Sequence, residues 1–401
     1  MAKVLMLNST YETCEQAIDK VFETFPTNIN GKRVVLKVNA LKGGDPHKYA
    51  FTTNYRFLAK VIKKVESLGP KEILIGDSTG TQYYGRSEEV FETSRMKEAA
   101  GKYYKNFNKN VTVIQMDRPI KRDLAVLKDV LDADVYIALP KMKTHGMARL
   151  SGAVKINFGI IAGAQKVWYH YMTMYPERFA EILVGAHLLR KPDLVIMDAI
   201  TAMEGYGPAS NNTHEVCKII AGVDCAAIDT AISDMICYEV DDVPTLRICR
   251  DRNLGETDIS KIEIIGDNKI NKQYFLPVEP EATYGCPAFY QEGVGVQYAS
   301  IEHYRDKVAW RPLIDRQLCA QCQECKKEYL CVKYCPFGAL TSSDEGPKLD
   351  RDKCHVCCSC MEWCPNHALA MKADPEVIEQ LKQYEIDNKY PVFDAKGKRL
   401  K

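Results

Sequence analysis

The chain lacks the features that mark several large classes of protein. Its longest apolar runs, such as Val135 to Leu139, fall far short of the roughly 20 residues that a spanning helix needs. It has no surplus of charge. Lys and Arg number 54 and Asp and Glu 53, a net of +1, so neither a nucleic-acid nor a membrane surface is expected. No basic stretch followed by a long apolar one opens the chain, and no paired arginines lie near its start. Neither secretory nor twin-arginine export is therefore expected, and the expected compartment is the cytoplasm. No G-x-G-x-x-G follows a first strand and there is no Walker motif. Gly293-Val294-Gly295 lacks the strand–turn–helix context, so a tightly bound dinucleotide is not expected. What is present is a 401-residue chain, 46% hydrophobic and 27% charged, enough for one large folded domain and a small one.

Residues 1 to 266 alternate strand-like and helix-like patterns. Ala2 to Leu7 reads as a first strand, and Val34 to Val38, Ile73 to Ile75, Val111 to Ile114, Val135 to Leu139 and Leu194 to Met197 are short, apolar and rich in β-branched residues. Between them, Cys14, Ala17, Ile18, Val21, Phe22 and Phe25, and then Leu58, Ala59, Ile62, Val65 and Leu68, recur at helical spacing; Gly69-Pro70 ends the second series. This order predicts an α/β domain whose mostly parallel sheet is covered by helices. Residues 267–312, rich in Pro, Gly and Tyr, read as a connector. Residues 313–372 read as a small α+β domain, and 373–401 as a final helix and tail.

The chain has sixteen cysteines, ten of them between Cys319 and Cys364. In a cytosolic chain such a cluster points to metal binding. Its second half reads Cys354-x-x-Cys357-x-x-Cys360-x-x-x-Cys364-Pro365, a run in which three close thiolates wrap one face of an iron–sulfur cubane and the fourth crosses to its neighbour. The first half has a longer loop: Cys319-x-x-Cys322, then Cys331-x-x-x-Cys335-Pro336, with Cys325 inside the loop. Cys331 is the preferred third ligand because Cys331 to Cys335 repeats the step from Cys360 to Cys364; Cys325 is the alternative. The expected sets are Cys319, Cys322, Cys331 and Cys364 for one cluster, and Cys354, Cys357, Cys360 and Cys335 for the other. Cys325 and Cys358 are left over as buried thiols. Structural zinc also uses paired C-x-x-C, but it needs no interlocked fourth cysteine followed by proline. The segment resembles the two-cluster bacterial ferredoxins, specifically those with one lengthened loop, which implies two 4Fe-4S clusters and one-electron transfer.

In the large domain the ends of the expected strands carry the polar chemistry, where open α/β sheets bind ligands. Gly76-Asp77-Ser78-Thr79-Gly80 follows one strand as a ligand loop or a turn. Lys141-Met142-Lys143-Thr144-His145 follows another and runs on through Arg149, Ser151, Gly152, Lys155 and Asn157, with Lys166 and His170 beyond. Lysines ahead of a Ser-Gly loop and a helix start form a candidate anion pocket. Lys141, Lys143, Arg149, Ser151, Asn157 and Asp77 are its candidate substrate-binding residues. His145, Lys155 and Glu204 are its candidate catalytic residues, with His145 as a proton carrier near neutral pH. Glu204 can equally be a turn carboxylate, and Asp224 is expected to cap a helix.

Several of these motifs carry a resemblance. Lys37-Val38-Asn39, Gly76-Asp77-Ser78, Leu139 to His145, Gly152 to Gly159, Met203 to Pro208 and Ile220 to Asp229 resemble an uncharacterised bacterial and archaeal family, labelled only as a domain of unknown function and often fused to a ferredoxin module. The resemblance implies a ferredoxin-fused redox protein. The order His145, Ser151-Gly152, Lys155 also resembles the nickel-pincer lactate racemase family, whose corresponding lysine carries the covalent cofactor; here Ala153-Val154 stands where that family has Gly-Arg. This implies a related fold and a similarly placed pocket.

The leading expectation is an iron–sulfur oxidoreductase that takes electrons from a soluble ferredoxin or similar donor and passes them to an anionic small molecule. Two other readings stand beside it. One is an electron-transfer or metallocofactor-maturation protein without a substrate of its own; the other is a pincer-type racemase with an accessory ferredoxin domain.

Overall fold

The computed structural model describes residues 1–80, 83–116, 122–173, 176–205, 207–267 and 310–373, together with Gln383 and Asp387. The expected connector lies outside the described residues except at its two ends. The expected final helix lies outside them except for Gln383 and Asp387, which are both helical.

The strands are β1 (Ala2–Asn8), β2 (Arg33–Val38), β3 (Glu72–Gly76), β4 (Val111–Met116), β5 (Arg122–Leu127), β6 (Val135–Leu139), β7 (Lys141–His145), β8 (Arg149–Ser151), β9 (Leu194–Met203), β10 (Thr213–Gly222) and β11 (Ile262–Gly266). Nine form one sheet in the order β11-β1-β10-β9-β6-β2-β3, with β7 on β9 and β8 on β7. Five of its pairings are parallel: β1 with β11, β2 with β3, β2 with β6, β6 with β9, and β7 with β9. β10 runs antiparallel to both neighbours. The fold is thus α/β with a mostly parallel sheet. Val111 to Ile114 departs from the expectation. β4 pairs antiparallel with β5, off the main sheet, because β5 offers an extended partner close by in sequence.

Alternation along the strands sends side chains to two cores. Leu5, Val34, Leu36, Ile73, Ile137 and Ile196 face helices Cys14–Thr24 and Tyr55–Ser67. Val4, Val35, Tyr136, Ala138, Val195 and Ile220 face helices Pro176–Leu189, Cys225–Met235 and Pro244–Asp251. Helix Tyr55–Ser67 forms where Phe57, Leu58, Val61, Ile62 and Val65 line one face and the Asn54 side chain accepts from Arg56 N. Asp224 caps helix Cys225–Met235 as expected, accepting from Ala226 N and Ala227 N.

The C-terminal segment pairs β12 (Trp310–Ile314) with β15 (Leu369–Ala373), and β13 (Leu340–Thr341) with β14 (Lys348–Leu349). Short helices at Leu330–Lys333 and Ser359–Glu362 lie between them. This is the small α+β unit expected at this end of the chain.

Candidate functional site

The carboxyl ends of β2, β3, β6 and β9 bring five lysines into the interior. Two meet carboxylates. Lys37, inside an otherwise apolar strand, reaches Asp77 Oδ1 at 2.7 Å and donates to Ile156 O, while Asp77 Oδ2 accepts from Ala40 N. Lys141 Nζ lies 2.9 Å from both Asp198 Oδ2 and the Tyr11 hydroxyl, and Asp198 also accepts from Asn54 N. Burial pulls Lys141 downward, but the charge of Asp198 and the bonds to Tyr11 and Asp198 outweigh it and hold the lysine above its ordinary pKa.

The other three lysines have no such acid among the described residues. Lys143, 3% exposed, donates to Phe51 O. Burial, and next the charge of Lys155, hold it well below its ordinary pKa. Lys155 is half-buried over the Phe158 ring, 5.9 Å from its centroid; burial and then Lys37 lower it to about 8. Lys166 donates to Ser78 Oγ at 2.6 Å and to the carbonyls of Ser78 and Ile161, and burial chiefly lowers it to about 7. Ammonium groups removed from water without a counter-charge lose much of their preference for the charged form.

Two histidines complete the cluster, their rings 6.1 Å apart, His145 stacked on Phe179 and His170 tilted against it. Their hydrogen bonds assign opposite tautomers. His145 Nδ1 accepts from Ala148 N, which leaves Nε2–H as a donor. His170 Nδ1 donates to Lys166 O, which leaves Nε2 as an acceptor. Burial holds both below their ordinary value, His170 at about 4 and His145 well down, with Lys155 next in line for the latter. Burial therefore favours the neutral donor form of His145. Lys155 and Lys166 lie closer to neutral pH.

Other expected site residues turn elsewhere. The amides after Ser151-Gly152 do face an anion, but the chain supplies it: Asp229 Oδ1 and Oδ2 accept from Ala153 N and Val154 N at 2.5 and 3.0 Å. A Cβ on Gly152 would lie 2.0 Å from Asp229 Oδ1, so only glycine fits. Ser151 stays buried at 6% exposure, with no partner for Oγ among the described residues. Asn157 is spent on structure: Oδ1 accepts from the Tyr136 hydroxyl and Nδ2 donates to Arg190 O, so it is not available to a substrate. Asp77 and Lys141 are likewise held by Lys37 and Asp198. Glu204 pairs with His214, 3.4 Å away, rather than with His145. Arg149 sits on β8 with a left-handed φ of 62°. Lys37 and Asp229 were not selected from the sequence as site residues, whereas Asp198, at the end of a strand-like run, was among the polar residues that open sheets gather there. The signal for the first was a lysine within Val34-Val35-Leu36-Lys37-Val38.

The cysteines fall into two sets. Burial raises the Cys319 and Cys331 thiols, and the next cause in each is the charge of Cys364. Burial also raises Cys354, Cys357 and Cys360, and Cys335 contributes to all three. Cys325 lies with the first set, beside Cys322. The two halves repeat each other locally. Cys331 and Cys360 are each the second residue of a four-residue helix, four positions before Cys-Pro. Three residues after each Cys-Pro cysteine the backbone turns left-handed, at Gly338 (φ 60°) and His367 (φ 50°). One residue later Ala339 N donates to Cys335 Sγ and Ala368 N to Cys364 Sγ, at 3.3 and 3.2 Å. Amide donors to cysteine sulfur suit thiolates that carry a cluster. Among the described residues, no three His, Cys, Asp or Glu side chains converge on the position of a single metal ion.

The cysteine unit packs directly on the sheet domain. Glu362, 8% exposed, accepts from Ser87 N, Ser87 Oγ and Asn106 Nδ2. Trp363 Nε1 donates to Lys109 O. A Cβ on Gly163 would lie 2.2 Å from Cys357 O, so backbone meets backbone there. Burial raises the Cys358 thiol to about 12, with the Ala164 amide and, further down, Lys166 acting against it. The turn at Gly163 to Lys166 thus touches the second cysteine set on one side and, through Lys166 and Ser78, the lysine cluster on the other. Open clefts of about 520 and 600 Å³ lie elsewhere, the first beside Lys32, Asp134 and Asp193 and the second beside Lys109, Tyr334 and Trp363. Among the described residues no helix is long and apolar enough to cross a membrane.

Residues 34–234 match the family described as Domain of unknown function (DUF362). A thylakoid-associated protein of Synechocystis is 32% identical over 220 residues, 54% of this chain and 66% of that protein. Pyruvate synthase subunit PorD of Methanocaldococcus jannaschii is 36% identical over 61 residues, 15% of this chain and 64% of that protein. The chain thus spans just under two thirds of the length of these curated relatives. The lactate racemase apoprotein of Thermoanaerobacterium thermosaccharolyticum superposes with a TM-score of 0.36 at 12% identity, covering 49% of this chain and 50% of that one. A Thermotoga maritima protein superposes with a TM-score of 0.33 at 14% identity, covering 47% and 50%.

Proposed function

The chain belongs to the DUF362 family, and from that premise we propose that it is an iron–sulfur oxidoreductase acting on an anionic small molecule. Cys319, Cys322, Cys331 and Cys364 hold one 4Fe-4S cluster, and Cys335, Cys354, Cys357 and Cys360 hold the second. When bound, the clusters supply single electrons at low potential. A soluble ferredoxin or similar carrier delivers them. The observation that carries the reading is the turn at Gly163 to Lys166, which touches Cys357 and Cys358 and reaches the buried lysines through Ser78. The 61-residue similarity to a pyruvate synthase subunit supports a place in an electron-carrying system.

In this reading Lys143 and Lys155 hold the anion and Lys166 links the pocket to the thiolate side. His145 offers a hydrogen-bond donor at Nε2–H and His170 an acceptor at Nε2, so two neutral rings orient a substrate that carries both an acceptor and a donor. The closed, water-poor setting strengthens each of these interactions. Lys37 and Lys141, already paired, keep the strand ends in register.

The test uses protein purified without oxygen. About eight irons and eight sulfides per chain, with the interacting EPR signal of two reduced clusters after dithionite, are expected. Zinc in place of iron, persisting after anaerobic reconstitution, would overturn the reading.

A further inference from the structure

We infer that the lysine cluster is a receptor for a dianion, a phosphate monoester or a dicarboxylate, gripped by Lys143 and Lys155; this rests on the reading of the cluster as the substrate pocket. The argument is one of charge balance. Among the described residues, five lysines converge at the strand ends and two acids face them. Asp77 is committed to Lys37 and Asp198 to Lys141. The next buried acid, Asp229, is committed to the amides of Ala153 and Val154. The charge of Lys166 acts on Cys358 and can serve the negative charge of the thiolate-rich unit. Lys143 and Lys155 remain. Lys143 Nζ has a carbonyl, Phe51 O, and Lys155 lies over an aromatic ring.

The charge of Lys155 acts on Lys143, and among the described residues neither is paired with an acid. The groups around Lys155 are Lys37 on β2, Lys143 and His145 on β7, and His170 and Lys166 on helix Gln165–Thr173. All are cationic or neutral. Asp77, the acid that also acts on Lys143 and Lys166, is the one already bound to Lys37. A monoanion can charge and compensate only one of the two amines and leaves the other neutral, whereas a dianion can charge and pair both. The neutral N–H of His145 adds a donor suited to a phosphate or carboxylate oxygen.

The same balance predicts a proton signature. Without ligand, burial and mutual repulsion favour the neutral amines; a bound dianion restores both charges, so binding draws protons from solution. The experiment is isothermal titration calorimetry of the full-length, anaerobically purified protein at pH 8.5, in two buffers of different ionisation enthalpy. Inorganic phosphate, succinate and acetate are the probes. Phosphate or succinate is expected to bind with uptake of roughly one to two protons, and acetate far more weakly. Lys143→Gln and Lys155→Gln are each expected to weaken the preferred dianion roughly 30-fold or more. The stronger of phosphate and succinate identifies the source. Equal binding of acetate, binding without proton uptake, or no binding of either dianion would overturn the proposal. Should a variant fail to fold, the proton uptake and dianion preference of the wild-type protein still decide. Iron and sulfide assayed on the same samples keep the two readings apart. Dianion preference in protein that holds no iron sustains this inference and sinks the redox reading. Its absence from protein with a full iron complement does the reverse.

Discussion

At the scale of single residues, the site is governed by which buried charges have partners. Lys37 and Lys141 each found an acid and are structural. Lys143, Lys155 and Lys166 did not, and burial moved their proton affinities toward neutral pH. Asp229 shows the same rule with the opposite sign. Its carboxylate fills the ring of amides that the Ser151-Gly152 loop presents, so the loop that read as an anion pocket is closed by its own chain. Asp229→Ala would leave two buried N–H groups without acceptors. The expected loss is roughly 2–4 kcal/mol, with Asp229→Asn losing less because one acceptor remains. Anaerobic urea unfolding measures both. Equal stability of wild type and Asp229→Ala would show that water replaces the carboxylate.

At the scale of elements, the repeat between the two cysteine halves supports the choice of Cys331 that the spacing favoured. Cys331 and Cys360 occupy the same place in matching four-residue helices, each followed by Cys-Pro, a left-handed residue and an N–H to sulfur. Cys325 has no counterpart in that repeat, although it lies beside Cys322. Cys331→Ser is therefore expected to lower iron by about four per chain or to convert the first cluster to a three-iron form, while Cys325→Ser retains about eight. Iron analysis and EPR on the paired variants distinguish them; the opposite pattern would make Cys325 the ligand. The strands were legible from short β-branched runs, since burial on both faces demands that composition. β4 was misplaced because an apolar run specifies extended backbone, not which strand it pairs with.

At the scale of the whole molecule, the cysteine unit and the sheet domain share a buried boundary, and the protonation of the pocket affects stability. Lys155 has a folded-state pKa of about 8 against an unfolded value near 10.5. Between those values the unfolded chain binds more protons, so stability from this group rises with pH; below about 8 both states are protonated and the full penalty remains. Lys155→Met is thus expected to exceed wild type in stability at pH 7, by up to about 3 kcal/mol, with the gap closing as pH rises to about 10.5. Anaerobic unfolding of both proteins without added anions across that range checks it. A gap that is constant with pH would mean the lysine is fully compensated in the fold.

What the sequence determined by itself was whatever depends on near neighbours in the chain. The Cys-Pro runs, the Asp224 helix cap, the amphipathic helices and the strand cores all lie within a few residues of their cause, and so could be read directly. The charge state of the pocket could not. Lys37 with Asp77, Lys141 with Asp198, and Asp229 with Ala153 are partners 40, 57 and 76 residues apart, joined only when the sheet closes. Whether a lysine is a ligand-binding cation or a satisfied structural one turns on whether such a distant acid arrives. The tertiary structure decided that, because in a low-dielectric interior the nearest opposite charge outweighs everything local.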